Sequence, residues 1–368
     1  MKDFDLEKEI GVAVDEALKS RGVANILLAG KTGVGKSTLL NSVFQGDFAT
    51  TGQGKPVTSK TRKITKPGIP LSIYDTRGLE VKDYKETLDE LENLVDSQNS
   101  LKDHHEHIHV CWLCISEGTR RIEQAEIDLA KMMAKKMPVI IVITKSQSDQ
   151  GFRSKCSEII PEAVNYVRVN SLSTTLDTGH VIPASGLDHL VTLTMEAIPE
   201  GQRRAFSAAQ KIKIEDKVVN AHKVVAASAS TAGATAAVPI PFSDFVAIAP
   251  IQIGMLAGIS SCFGLNVDRA FLSTLVSGTF TSVAGSFAGR AIAGALLKFF
   301  PGVGSTGGAA ISASVALTLT TLFGEAYIAT LYMLLKDDPE KKLTADEITE
   351  AFKEKLSKEK NAEGAIHT

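Results

Sequence analysis

The chain has few cysteines and almost no net charge, and its N-terminal residues include no long apolar run. Four scattered cysteines in 368 residues are too few for a disulfide framework, which indicates a reducing compartment. The net charge of −2 lacks the basic excess of a nucleic-acid-binding protein, so we predict no nucleic-acid partner. The N-terminus is charged and has no apolar core, so we expect no secretory signal.

Two short clusters resemble metal or redox sites. Cys111 and Cys114 form a Cys-x-x-Cys within the apolar run 109–116, which predicts a central strand. Positions three apart on a strand point to opposite faces, so we interpret both cysteines as ordinary buried thiols. Four histidines lie just before or at the start of this strand, at positions 104, 105, 107 and 109. No second cluster supplies further ligands, so a polar loop explains them better than a metal site.

The strongest motif is Gly-Lys-Thr-Gly-Val-Gly-Lys-Ser at residues 30–37, which has the spacing of a phosphate-binding loop. The apolar run 23–29 before it predicts a buried strand, and Leu39, Leu40 and Val43 after it recur at helical spacing. Glycine N–H groups can surround phosphate oxygens at the positive end of the helix dipole. The motif therefore predicts nucleotide binding, with Lys36 on the outer phosphates and Ser37 on Mg²⁺.

Alternating strand and helix patterns continue to about residue 200. The later predicted strands are 71–74, 109–116, 138–143 and 166–170. This alternation predicts an α/β domain over 23–200, a doubly wound and mostly parallel sheet with helices on both faces. Ligands in such sheets bind outside the carboxyl ends of the strands.

Three further motifs fall at predicted strand ends. Asp75-Thr76-Arg77-Gly78 suits a metal-supporting carboxylate and a glycine N–H facing a terminal phosphate. Thr58, with Thr61 as the alternative, lies in a loop that can complete Mg²⁺ coordination. Thr144-Lys145-Ser146-Gln147 and Ser171-Leu172 suit a base pocket, although a polar turn after a strand is ordinary.

Residues 23–200 resemble the Era-like branch of the translation-factor-related small GTPases, because these motifs occur in the right order. The resemblance implies GTP or GDP and Mg²⁺ as ligands, with Ser37, Thr58 and Asp75 at the metal. It implies Lys36, Thr58 and Gly78 as catalytic residues. Phosphate contacts then fall to Gly30, Lys31, Thr32, Gly33, Val34, Gly35, Lys36, Ser37 and Thr38, and base contacts to Thr144, Lys145, Gln147, Ser171 and Leu172.

Three residues depart from the family pattern. Gln147 stands where the family usually has aspartate, and an amide oxygen is a poorer acceptor for guanine N–H groups than a carboxylate. Nearby Asp149 is a candidate substitute, and an amide can also pair with adenine. Leu79 cannot orient water, so we expect slow intrinsic hydrolysis. Gly33 replaces the asparagine of potassium-stimulated relatives, so no potassium activation is predicted.

Composition changes abruptly at residue 224, after a predicted charged helical linker over 201–223. Residues 224–335 contain six charged residues and three uncharged runs of about 20, the length of a membrane-spanning helix. Gly254 with Gly258, and Gly285 with Gly289, allow close helix crossing. We expect an all-α hydrophobic domain that associates with membrane lipid, and a soluble bundle is the alternative. The run from Pro239 resembles a hydrophobic domain of unknown function fused to Era-like GTPases.

Amphipathic helices are predicted at both ends of the chain. Residues 1–22 are expected to pack on the next domain, and a capping box at residues 344–347 opens a helix within the tail 336–368, with protein packing as the default. The sequence thus predicts a cytoplasmic, slow GTPase switch coupled to a membrane-associated helical domain, with a homodimer through the GTPase domain as one partner. Two alternatives are a soluble interaction module with little turnover and a nucleotide-controlled membrane-remodelling protein.

Overall fold

The computed structural model describes residues 5–46, 55–56, 61–76, 84–236, 244–285 and 308–366. The predicted positions Thr58, Arg77, Gly78, Leu79 and Gly289 lie outside these residues. The proline-containing segments 239–244 and 301–304, which the sequence predicts as turns between helices, also lie outside them except for Asp244. The chain forms two compact units. The sheet unit is Gly22–Lys213, and the helical unit combines residues 1–21 with Ile214–Thr368.

Helices and strands alternate through the sheet unit and give way to helices alone. Their order is α1 (Leu6–Arg21), β1 (Ala24–Ala29), α2 (Lys36–Val43), β2 (Lys55–Pro56), β3 (Thr61–Lys66), β4 (Ile69–Thr76), α3 (Tyr84–Asn99), β5 (Val110–Ser116), α4 (Gln124–Ala134), β6 (Val139–Thr144), α5 (Phe152–Ile159), β7 (Asn165–Arg168), β8 (Thr174–Thr175), β9 (Val181–Ile182), α6 (Leu187–Ala197), α7 (Glu200–Ala209), α8 (Ile214–Ala236), α9 (Asp244–Cys262), α10 (Arg269–Gly285), α11 (Gly308–Leu335) and α12 (Ala345–Ile366).

The main sheet has the order β2-β3-β4-β1-β5-β6-β7. Strands β4, β1, β5, β6 and β7 pair in parallel, with Ile26 opposite both Ile73 and Val110. This confirms the predicted doubly wound, mostly parallel α/β fold. Strands β2 and β3 add an antiparallel edge that the sequence reading missed. The carboxyl ends of β1, β4, β5 and β6 therefore meet at one edge, where a ligand site is expected.

Side chains alternate between two cores on the faces of the sheet. One core holds Leu28, Cys114 and Trp112 with residues of α2, α6 and α7, and the other holds Leu27 and Cys111 with residues of α3, α4 and α5. The two cysteines thus lie on opposite faces and are free, as predicted. Burial raises the pKa of the Cys114 thiol to about 12, which makes it a poor nucleophile or metal ligand at neutral pH.

The helical unit has its own core, built from α1 and α8–α12. Residues Ile10 and Val14 of α1 are buried there together with residues of α9, such as Ile253 and Leu256. The expectation that this N-terminal helix packs on the domain following it in sequence is therefore wrong. The predicted linker also differs from the structure, because its helix ends at Ala209 in the sheet unit and a new helix starts at Ile214 in the helical unit.

Close helix packing in the helical unit depends on glycine. A Cβ atom at Gly258 of α9 would lie 2.9 Å from a methyl carbon of Val224 in α8. A Cβ atom at Gly324 of α11 would lie 2.6 Å from Val225. Gly254, by contrast, has nothing within 4 Å of its would-be Cβ. The predicted glycine pair thus contributes one contact position, Gly258, among the described residues.

The tail helix α12 packs on protein. Thr344 and Glu347 form the predicted capping box, since the Glu347 N–H donates to the Thr344 hydroxyl at 3.2 Å and the Thr344 N–H donates to the Glu347 carboxylate at 2.9 Å. Phe352 is fully buried, and its ring meets those of Phe323 and Tyr327 edge-on. The apolar face of α12 is therefore part of the core of the helical unit.

One helical segment among the described residues, Ala316–Leu335, is long and apolar enough to cross a membrane by length and composition. Its mean hydropathy is 1.2, and 39% of it is buried in the protein. Leu317, Leu322 and Met333 of this segment are exposed. Length and hydropathy alone also fit the core helix of a soluble protein, so the segment permits membrane contact without requiring it.

Candidate functional site

The loop between β1 and α2 curls through left-handed backbone conformations. Gly30, Gly33 and Gly35 have φ angles of 138°, 78° and 102°. A Cβ atom at Gly30 would lie 2.5 Å from the carbonyl oxygen of Cys114 on the neighbouring strand β5. Only glycine fits that position, because the φ angle and the neighbouring backbone both exclude a side chain.

Lys36 spans this loop from the first turn of α2. Its ammonium donates hydrogen bonds to the carbonyl oxygens of Gly30, at 2.6 Å, and Lys31, at 3.0 Å. Ser37 and Thr38 follow it with exposed side chains at the N-terminus of α2. Lys31 itself forms an ion pair with Glu123. The Lys36 ammonium, the N-terminus of α2 and the exposed hydroxyl groups of Ser37 and Thr38 therefore lie together at this loop. This combination suits the binding of a phosphate chain.

Asp75 lies at the end of β4, beside Leu28 of β1 in the sheet. One of its carboxylate oxygens is buried and has no hydrogen-bond partner among the described residues. Burial raises the pKa of Asp75, while nearby Lys36 and Arg62 oppose that rise. A buried carboxylate oxygen without a protein partner fits Mg²⁺ or its bound water, since both prefer oxygen ligands. Thr61, the alternative metal ligand, is buried opposite Thr76 at the start of β3.

The end of β6 is hydrogen-bonded to the phosphate loop. The Thr144 hydroxyl donates to the carbonyl oxygen of Val34 at 2.6 Å, and the Lys145 ammonium donates to that of Gly33 at 2.6 Å. Lys145 has a φ angle of 54°, so its backbone turns sharply as the strand ends. These contacts place the two predicted base-site residues against the phosphate loop, although they lie more than 100 residues away in sequence.

Gln147 has an exposed side chain and a backbone N–H that donates to Glu117 at 2.5 Å. Asp149, the candidate substitute, is already engaged. Its carboxylate accepts the Arg153 N–H at 2.9 Å at the start of α5 and lies 3.6 Å from Arg168. Asp149 is therefore engaged at the start of α5, and Gln147 has the more exposed side chain of the two.

Ser171 and Leu172 follow β7 at the same edge of the sheet as the phosphate loop. The Ser171 carbonyl accepts a hydrogen bond from the Ser42 hydroxyl of α2 at 3.0 Å, and the Leu172 side chain is 58% exposed. The next residues form the short antiparallel pair β8–β9, which the sequence reading did not predict. Leu176 and Val181 on this hairpin are also exposed.

Sequence reasoning missed Glu117 and Arg168, which together with Arg120 surround the loop after β6. The Arg120 guanidinium bonds the carbonyl oxygens of Ser148 and Asp149. Glu117 directly follows the apolar run of β5. Its position at the end of a strand could have indicated a site residue. The residues that it bonds, Gln147 and Arg168, lie 30 and 51 positions further along the sequence.

The histidine cluster lies at the opposite, amino-terminal edge of the sheet. Nδ1 of His109 accepts the Asn25 N–H at 2.9 Å, and its Nε2 lies 3.0 Å from the His104 carbonyl oxygen. The described residues include no group of three or more acidic, histidine or cysteine side chains placed to hold a metal. A cavity of about 350 Å³ at this edge is lined partly by His107, His109 and Lys136. It lies away from the phosphate loop.

Comparison with known proteins adds a family for part of the chain. A family model described as "50S ribosome-binding GTPase" matches residues 25–145. The sheet unit contains a P-loop GTPase domain. The matched family consists of GTP-binding proteins, and membership of it implies GTP hydrolysis. Guanine nucleotides and Mg²⁺ are the usual ligands of the family.

Relatives match this chain over short stretches. Translocase of chloroplast 101 of Physcomitrium patens is 46% identical over 56 residues, which cover 15% of this chain and 6% of the relative. The tRNA modification GTPase MnmE of Treponema denticola is 30% identical over 145 residues, 37% of this chain and 29% of the relative. The chain thus spans less than a third of either relative. Toc33 from Arabidopsis thaliana, solved in complex with GDP and Mg²⁺, aligns over 56% of this chain and 96% of its own with 17% identity and a TM-score of 0.32.

Proposed function

We propose that this protein is a Mg²⁺-dependent, slowly hydrolysing GTPase of the Era-like branch, which acts as a nucleotide switch. The observation that carries the proposal is the loop at residues 30–37, whose three glycines have positive φ angles and whose Lys36 reaches back across it. Residues 30–38 would bind the phosphates. Thr144, Lys145, Gln147, Ser171 and Leu172 would bind the base.

The chemistry follows from the placement of charges. Lys36 would exchange its two carbonyl partners for the outer phosphate oxygens, and the N–H groups of the loop would hold the remaining phosphate charge. When bound, Mg²⁺ supplies further charge neutralisation, with Ser37 and Thr58 as ligands and Asp75 in support. Gly78 would contact the terminal phosphate. Leu79 has no hydrogen-bonding group for the attacking water, which supports a slow intrinsic rate.

Phosphate release tests the enzyme assignment. We expect Mg²⁺-dependent release of phosphate from GTP by the full chain, with a loss of about 100-fold or more in Lys36→Ala. Lys131→Ala, on α4 away from the loop, is the matched control and keeps the wild-type rate. Equal hydrolysis by the wild type and Lys36→Ala would show that the assignment of this site is wrong.

We further propose that the helical unit associates with a membrane, on its cytoplasmic face, in a nucleotide-dependent way. The apolar segment Ala316–Leu335 and its exposed residues Leu317, Leu322 and Met333 support this. The runner-up is a soluble interaction module, supported by the glycine-packed core in which Gly258 and Gly324 lie against α8. The assignment to the hydrophobic domain of unknown function remains part of the proposal.

Liposome flotation separates the two readings. We expect the full chain to float with vesicles, and to float differently with GDP and with a non-hydrolysable GTP analogue. Leu322→Asp with Met333→Asp should abolish flotation, whereas Val164→Asp, an equally exposed apolar position of the sheet unit, should not. A wild-type protein that stays unbound with both nucleotides would favour the soluble module. Sedimentation of the same samples tests the proposed homodimer.

A further inference from the structure

Two side chains hold the backbone of the base-recognition loop, residues 147–149. The Glu117 carboxylate accepts the N–H groups of Gln147, at 2.5 Å, and Ser148, at 2.8 Å. On the carbonyl side, Arg120 donates to the oxygen of Asp149 at 2.6 Å and also bonds that of Ser148. Four backbone groups of three consecutive residues are thus fixed by side chains from the end of β5.

The surroundings of Glu117 favour its ionised, carboxylate form. Its residue is only 3% exposed, and its second oxygen accepts the Arg168 Nε–H at 2.8 Å. Burial alone would raise the pKa of Glu117, but the hydrogen bonds from Arg168, Gln147 and Ser148 outweigh it and hold the pKa below its usual value. A buried carboxylate with these charge-assisted bonds stays ionised at neutral pH and keeps its acceptors in place.

Arg120 also holds the base-recognition loop through its side chain. Its backbone is left-handed, with a φ angle of 49°, which is unusual for a residue with a side chain. This turn directs the guanidinium toward residues 148 and 149, where it bonds two carbonyl oxygens. The Arg120 guanidinium is therefore bound to the backbone of the base-recognition loop.

We propose that Glu117, assisted by Arg120, is a positioning residue that sets the base selectivity of the GTPase. The inference rests on the proposed base contact of Gln147. An amide oxygen is a weaker acceptor than a carboxylate, so selectivity depends more on how rigidly that oxygen is held. Glu117 fixes the Gln147 backbone through a short bond and leaves only the side-chain torsions to be ordered when a base binds. The loop is thus preorganised to read the guanine N–H edge.

The test compares GTP with ITP, which lacks the guanine 2-amino group but has the same ribose and triphosphate. We expect the wild type to bind GTP about 5- to 10-fold more tightly than ITP, the ratio for one well-placed hydrogen bond. In Glu117→Gln an NH₂ group replaces one carboxylate oxygen, so it opposes either both backbone N–H groups of residues 147 and 148 or the Arg168 Nε–H, and the remaining acceptor is neutral. The ratio should then fall below about twofold, while ITP affinity changes by less than about threefold.

Two variants keep the test decisive. Asp96→Asn removes an exposed carboxylate that pairs with Lys136 at the opposite edge, and should leave the ratio unchanged. Arg120→Gly removes the guanidinium at a position that already has a glycine-like φ angle, so it decides the question if Glu117→Gln does not fold. Equal losses of GTP and ITP with an unchanged ratio would overturn the proposal. A wild type that binds neither nucleotide would instead overturn the proposed function.

Discussion

Glycine serves different purposes in the two units of this protein. In the GTPase domain, Gly30, Gly33 and Gly35 allow backbone conformations with positive φ, and the resulting loop faces the ligand space. In the helical unit, Gly258 and Gly324 lie within ordinary helices and reduce the distance to a neighbouring helix. The first kind of glycine leaves a recognisable motif, because its spacing follows the phosphate chain. The second kind has no fixed spacing, so its contacts emerge only from the fold.

The largest expected effect separates two glycines of the phosphate loop. Gly30→Ala places a Cβ atom 2.5 Å from the backbone oxygen of Cys114, whereas Gly33→Ala meets nothing within 4 Å. We expect Gly30→Ala to weaken GTP binding by about 100-fold or more and Gly33→Ala by about tenfold or less. Equilibrium binding of a fluorescent GTP analogue measures both. Equal losses would contradict the role assigned to the Cys114 contact.

The next prediction concerns a buried lysine in the helical unit. Lys217 of α8 donates to the Phe263 carbonyl at 3.1 Å, and burial lowers its pKa to about 7. The unfolded chain, with an ordinary lysine pKa, binds more protons between about pH 7 and pH 10, so stability must rise with pH in that window. We expect the helical unit to gain on the order of 3 kcal/mol there. Hydrogen exchange of α8 measures it, and Lys217→Met should remove the rise.

A glycine contact between helices gives the next effect. Gly324→Ala brings a methyl group 2.6 Å from Val225 and 2.9 Å from the Met255 sulfur. We expect a loss of about 1–3 kcal/mol from overpacking. Gly254→Ala is the matched control on a neighbouring helix and should stabilise by about 0.5–1 kcal/mol through helix propensity alone. Hydrogen exchange of α11 and α9 checks both, and a Gly324→Ala protein as stable as wild type would contradict the packing.

The smallest effect concerns pH and the GTPase domain. Burial lowers the pKa of His109, whose Nδ1 accepts the Asn25 N–H. The folded domain therefore prefers the neutral ring, and stability present above about pH 6.5 is lost as the pH falls below that value. We expect this loss of stability to be smaller than the effects above. Trp112, the single tryptophan, lies in this domain and reports its unfolding by fluorescence. A His109→Gln curve with the same slope would contradict this origin.

The fold of the GTPase domain was predictable because its signals are local. Each parallel strand is a short apolar run, and the glycine motif joins β1 to α2 in sequence as it does in space. The placement of residues 30–38, 75 and 144–147 at one edge of the sheet was predictable for the same reason, because they lie at strand ends. The antiparallel strand β3 was missed, since Thr61–Lys66 alternates charged and polar residues with a single buried isoleucine, Ile64.

Contacts between distant residues were not predictable from one sequence. Glu117 was missed because its three partners lie on β7 and on the loop after β6. The helix break at Gln210 was also missed, because residues 203–219 are uniformly rich in helix-forming residues. The Gln210 side chain bonds the backbone of Ile212 and Lys213 and so ends the helix locally. Placement of α1 with α9 likewise depends on a contact across more than 200 residues.

The most direct test of the account is the affinity of the full chain for GTP against ATP in the presence of Mg²⁺. The phosphate loop treats the two triphosphates alike, so the difference reports on Gln147 and the loop that Glu117 holds. The account predicts that GTP binds about 100-fold or more tightly than ATP, the scale expected when a site's polar groups match one base edge. Equal affinities would contradict a guanine-reading site and would leave a nucleotide-binding domain without base selectivity.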